Sequence, residues 1–199
     1  MVYPCQCPAT VTISGGKDLQ SNLSRFEEFI AMTISLHQVS VPVYVRQLNG
    51  LSAIIHKAIG YCAEHKIDPA ALLSARLYPD MFPLTHQVRF ACNHAERGVC
   101  RLTGTEPPAR ENKEASFADL ATRIATAIAF VKSADAKKMV GMEDRDVTFP
   151  VGEKQMTLNG LDYLVHFSMP NFYFHVTTAY SILRHNGLQI GKQDYLGTQ

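Results

Sequence analysis

Residues 170–186, PNFYFHVTTAYSILRHN, decide the fold. Phe172, Val176, Ala179 and Leu183 recur at three- and four-residue spacing, the apolar stripe of an amphipathic helix that packs on one side. Pro170 is tolerated because it stands in the first turn, where its missing N–H is one of the orphans. Asn186 and Gly187 form a left-handed stop at the other end. On the face beside the stripe lie Asn171, His175 and Thr178, at i, i+4 and i+7. Two polar side chains one turn apart can converge on a point, so Asn171 and His175 offer an amide oxygen and an imidazole nitrogen to an ion or small ligand. A third group would come from another helix. The competing reading of the same residues is an Asn that serves the first turn and a His hydrogen-bonded in the interior.

Three more helices are legible upstream. From Pro42, the positions Val43, Val45, Leu48, Leu51, Ile54, Ile55, Ala58, Ile59 and Cys62 keep helical spacing to about His65. Asp68 and Pro69 cap a short helix over Ala70 to Arg76. Leu84, Val88, Ala91, Cys92, Ala95, Val99 and Leu102 mark a second long helix that Gly104 ends. Ser116 caps a third, with a stripe of Phe117, Leu120, Ile124, Ala127, Ile128 and Val131 that stops near Ala134. Between Asp146 and Leu158 the period changes: two short β-prone runs flank Pro150-Val151-Gly152-Glu153, which predicts a hairpin. Leu161 to Met169 begins further helix, which Pro170 restarts or kinks. These elements predict an all-α fold, a four-helix bundle with a small β-hairpin insertion before the last helix. Residues 1–31, with Cys5-Gln6-Cys7 and Ser14-Gly15-Gly16, read as a poorly ordered N-terminal extension, and 32–199 as the bundle domain.

Composition narrows the partners. Hydrophobic residues make up 46% of the chain and charged ones 19%, so a packed core is expected. A net charge of +1 provides no field to gather nucleic acid or an anionic membrane. Apolar runs fall short of the roughly 20 residues that cross a bilayer, and residues 1–20 have neither a basic start nor an apolar run of a secretory signal. A cytoplasmic protein is the expectation. Cys62, Cys92 and Cys100 read as small buried apolar residues rather than a disulfide framework. There is no Walker-type loop, dinucleotide-binding glycine pattern or nucleophile elbow.

Of eight histidines, His37, His56 and His65 read as surface or partly satisfied groups, and His185 as a cation in the last turn of its helix. His86 and His94, eight residues apart, cannot readily serve one ion together. His86 lies between Phe82 and Phe90, where an unpaired imidazole needs a partner.

The segment PNFYFHVTTAYSILRHNGLQIGKQDYLG, residues 170–197, resembles the C-terminal signature of the domain-of-unknown-function family numbered nineteen ninety-three. LHQVSVPVYVRQLNGL and PLTHQVRFACNHA fit the same family, which is similar to the DinB and YfiT-like superfamily of metalloenzymes. The resemblance covers Met32 to Gly197. It implies a four-helix bundle, often a homodimer, that holds nickel or zinc with one His on the second helix and two His at i, i+4 on the last. On this chain those positions match His86, Asn171 and His175. Asn171 stands where the pattern has His, which implies a weaker oxygen ligand or a site for a small organic molecule. At superfamily level the resemblance also implies an isomerase, transferase or hydrolase, thiol-dependent in some relatives, in which the ion polarises an oxygen or activates water or a thiol.

Overall fold

The computed structural model describes residues 34–197. The extension expected at residues 1–31 lies outside the described residues. Four long helices dominate: α1 (Leu36–His65), α3 (Leu84–Thr103), α4 (Phe117–Lys132) and α6 (Met169–His185). The short α2 (Pro69–Ser74) lies between the first two. A 3-10 turn at Ala136–Met139 and the hairpin β1 (Asp146–Val151) and β2 (Lys154–Asn159) come before the last. One α-helical turn, α5 (Gly160–Asp162), runs through a π-helical stretch, Tyr163–Ser168, directly into α6. A final short helix, α7 (Lys192–Leu196), closes the described chain.

The first helix starts six residues before Pro42, because Ser35 and Gln38 form a capping box that satisfies orphan N–H groups at the start. Pro42 is carried inside the helix, although proline there removes a backbone bond worth about 3 kcal/mol with its clash. The cap and the buried Leu36, Val41 and Tyr44 offset that cost. The second and third helices follow the expected bounds closely. Gly104 ends α3 at φ 66°, and Ser116 with Asp119 caps α4. In the hairpin Val151 pairs with Lys154 across Gly152, whose φ is 59°, a conformation that favours glycine.

The helices α3 and α6 pack along each other, as do α1 and α4, and α4 also meets α3. Most of the expected stripe positions face the core: Leu51 and Ile55 from α1, Val88 and Ala95 from α3, Leu120 and Ile124 from α4, and Phe172, Val176, Ala179 and Leu183 from α6 are all buried, whereas Ile59 of α1 is exposed. Each buried Val, Leu, Ile or Phe among them contributes roughly 1.5–3 kcal/mol on leaving water. Cys62, Cys92 and Cys100 are free and buried, as small apolar residues would be. No helix among the described residues is long and apolar enough to cross a membrane.

A buried ionic cluster joins α3, α4 and the loop between them. Arg123 contacts Glu96 at 2.8 Å and also donates to Asn93, Arg110 reaches Glu96 at 2.9 Å, and Arg89 reaches Glu114 at 2.8 Å. Glu96 and Arg123 are 2% and 6% exposed, so each depends on the other for its charge.

Candidate functional site

The site lies where α3 faces α6. Positions 87, 90, 94, 98 and 101 of α3 follow one another at three- and four-residue steps and so share a face. They carry Gln87, Phe90, His94, Gly98 and Arg101. Opposite them α6 presents His175, with Asn171 one turn before it.

Gly98 lets the elements approach. A Cβ there would stand 2.6 Å from the Ser168 hydroxyl and 2.7 Å from that of Tyr44. Those two hydroxyls hydrogen-bond at 2.8 Å, inside the core. Ser168 ends the π-helical stretch, in which the Met169 N–H donates to the Leu164 carbonyl five residues back. The extra residue per turn resets the helix just before Asn171 and His175, a device that recurs at functional sites.

His175 meets α3 twice. Its Nδ1 is 2.8 Å from Gln87 Oε1, and its ring centre is 5.3 Å from that of His94, with planes 21° apart. Gln87 Nε2 donates to the Phe82 carbonyl at 3.0 Å, which fixes the amide so that its oxygen faces the imidazole. An amide oxygen only accepts, so His175 carries its proton on Nδ1 and keeps the Nε2 lone pair. Phe90 and Phe174 flank His175, with ring centres at 5.2 and 5.3 Å, and Phe167 lies 6.5 Å from His94. Burial lowers the pKa of both imidazoles to about 4; on His94 the neighbouring His175, which disfavours a second proton on the pair, and the positive Arg97 and Arg101 add to it. Both rings are therefore neutral near pH 7, the form that ligates metals.

Asn171 donates its Nδ2 to the Phe167 carbonyl at 2.7 Å. It thus serves its own helix, as one reading of the sequence has it, while its Oδ1 keeps the acceptor role. His86 stands elsewhere. Eight helical residues turn through about 80° beyond two full turns, so its ring points away from the column of His94. It stacks on Phe82 at 5.6 Å and meets Phe90 edge-on at 6.1 Å. Its Nδ1 is buried without a hydrogen-bond partner, and burial lowers its pKa. The structure therefore brings His175 to His94 and Gln87, and no ring contact joins it to His86 among the described residues. From the sequence, His94 is weighed against His86 and left out of the site, and Gln87 and Arg101 are not singled out. The seven-residue recurrence of 87, 94 and 101 is the signal that finds them.

The donor set suits a borderline divalent ion such as zinc or nickel, which accepts imidazole nitrogen. Two imidazoles bound to one tetrahedral ion at about 2.0–2.1 Å have ring centres roughly 5 Å apart, close to the 5.3 Å between His94 and His175. Among the described residues no group of three or more His, Cys, Asp and Glu side chains is placed to hold an ion. Asn171, one turn before His175 on α6, carries an amide oxygen that is the other donor on that helix face.

A helical chain of this order, with an insertion hairpin ahead of its last long helix, has the DinB fold. It is similar to the crystal structure of a DinB family member protein from Shewanella denitrificans, at 36% identity over 82% of this chain and 93% of that one, with a TM-score of 0.77. Within that class the chain belongs to the family described as Domain of unknown function (DUF1993), whose profile matches residues 36–196. No curated protein matches it.

Proposed function

We propose that the protein is a divalent-metal-binding four-helix bundle of the DinB type, with zinc or nickel held by His94 and His175 and by Asn171 Oδ1 as a weak third ligand. The observation that carries this reading is the paired imidazole: two neutral rings at a spacing that fits one ion, one of them oriented by Gln87. His94 takes the role that the family resemblance suggests for His86, because its ring is the one against His175. Gln87 holds the His175 tautomer and directs Nε2 toward the ion, the usual task of an outer partner. Phe90 and Phe167 exclude water from one side. The ion, when bound, supplies Lewis acidity to polarise an oxygen or activate water or a thiol in hydrolysis, isomerisation or group transfer.

Metal analysis of protein purified without chelator, followed by thermal unfolding with and without zinc or nickel, tests the reading. Bound metal and a raised melting temperature are expected; metal-free protein with no thermal response to either ion contradicts it. A second reading, a non-catalytic homodimer that binds a small ligand or partner without metal, draws on Phe82 and Phe174, which are 53% and 55% exposed beside the site. In that case His175→Ala lowers stability and leaves metal content at zero in both proteins.

A further inference from the structure

The charges around the imidazole pair are one-sided. The charged side chains whose field reaches His94 are Arg97 and Arg101, with no carboxylate among them. Neither arginine makes an ion pair among the described residues, whereas Arg89, Arg110 and Arg123 all do. Arg101 is nevertheless held in place. Its guanidinium carbon lies 4.6 Å over the Phe149 ring and 5.4 Å from that of Tyr163, and Nη1 donates to the Tyr163 hydroxyl at 3.2 Å. Stacking of this kind fixes the plane of the fork, and among the described residues its other N–H groups have no hydrogen-bond acceptor. The Phe149 ring in turn packs on Phe167 at 4.5 Å, and Phe167 is the aromatic neighbour of His94. A held guanidinium with no ion pair among the described residues therefore stands on the same face of α3 as His94 and is linked to its ring through Phe149 and Phe167. Two neutral imidazoles and an amide also leave a divalent ion's charge unbalanced, and among the described residues no carboxylate acts on His94 to balance it.

We propose that the site takes an organic carboxylate with a flat apolar body, its carboxylate received on the Arg101 side of His94 and its body lying along Phe90, Phe167 and Phe174. An arginine fork recognises a carboxylate through paired N–H donors. The aromatic rings provide faces and edges for a flat group. The inference rests on the His94 and His175 site described above, and it stands whether the metal fills it or not.

Benzoate is the probe, with benzamide as its neutral counterpart and acetate as the charge without the ring. Binding is measured by calorimetry on the full chain, once with zinc at measured occupancy and once after chelation, and is localised by the His94 and His175 ring signals in NMR. Benzoate is expected to bind at least tenfold more tightly than either comparison molecule and to shift both ring signals. Arg101→Gln should remove the preference over benzamide, and Arg101→Lys, which keeps the charge without the fork, should retain part of it. Equal affinity for benzoate and benzamide in the wild type, or an unchanged preference in folded Arg101→Gln, overturns the proposal. If Arg101→Gln does not fold, the wild-type preference alone decides. Benzoate binding to protein that takes up no zinc supports the carboxylate site and contradicts the metal. Zinc uptake without a preference for benzoate does the reverse.

Discussion

His175 is defined by a residue that carries no charge. Gln87 is held by the Phe82 carbonyl and presents only an acceptor to the imidazole, so the ring has one tautomer and one free lone pair. Gln87→Leu removes that acceptor at nearly constant volume. Zinc affinity is expected to fall about 10- to 100-fold, the usual loss on removing an outer partner, while titration calorimetry that finds no change refutes the assignment. The two imidazoles also set a pH dependence. Their folded pKa of about 4 lies below the roughly 6.5 of a free imidazole, so the unfolded chain binds more protons between those values. Stability should then be level above about pH 7 and fall as pH drops through 6.5 toward 4. Urea unfolding of metal-free protein across this range checks it, and a slope equally steep in the His94→Ala, His175→Ala double variant would place its origin elsewhere. His175 itself was legible from its i, i+4 relation to Asn171, whereas its partners were not. The family resemblance matches the second-helix position to His86, whereas the helix turns that ring about 80° off the column of His94.

At the level of elements, the site depends on how closely the π-helical stretch approaches α3. Gly98→Ala puts a methyl group within 2.7 Å of both the Ser168 and Tyr44 hydroxyls, neither of which is free to leave the core. A destabilisation of about 1–3 kcal/mol is expected, the range for overpacking a full interior, and denaturant unfolding that shows a neutral change would mean the approach is looser than the structure has it. The long helices were readable because each repeats its apolar residues over many turns and begins or ends on a residue with a capping role, such as Ser116 or Gly104. The hairpin was readable from its turn. The π-helical stretch was not, because an i−5 ladder leaves no composition of its own in YLVHFS. The short α7 was also missed. It is held by tertiary bonds, from Gln47 to the Tyr195 carbonyl at 2.7 Å and from Arg46 to that of Leu196 at 3.1 Å, and Gly50 leaves room for its backbone.

Across the molecule, the apolar core and the ionic cluster divide the work of fixing α3. One side of that helix packs on α6 and carries the imidazole site; another is tied to α4 and its preceding loop through Glu96, Arg123 and Arg110. Glu96→Ala leaves two guanidiniums without their main carboxylate and should cost about 3–5 kcal/mol, as breaking a buried pair does. Arg123→Ala should cost a similar amount, and the double variant less than the sum, since the two share one interaction. Additive losses in a double-mutant cycle would deny the coupling. None of this cluster is visible as a motif, because its members come from three separate segments that only the fold assembles. The same holds for the site: its residues are close in space through the α3 and α6 contact and not through sequence. Zinc titration of wild-type protein, His94→Ala and His86→Ala under one set of conditions tests that placement most directly. Binding that is lost with His94→Ala and kept with His86→Ala is the predicted result; loss with His86→Ala alone, or no binding by the wild type, would contradict it.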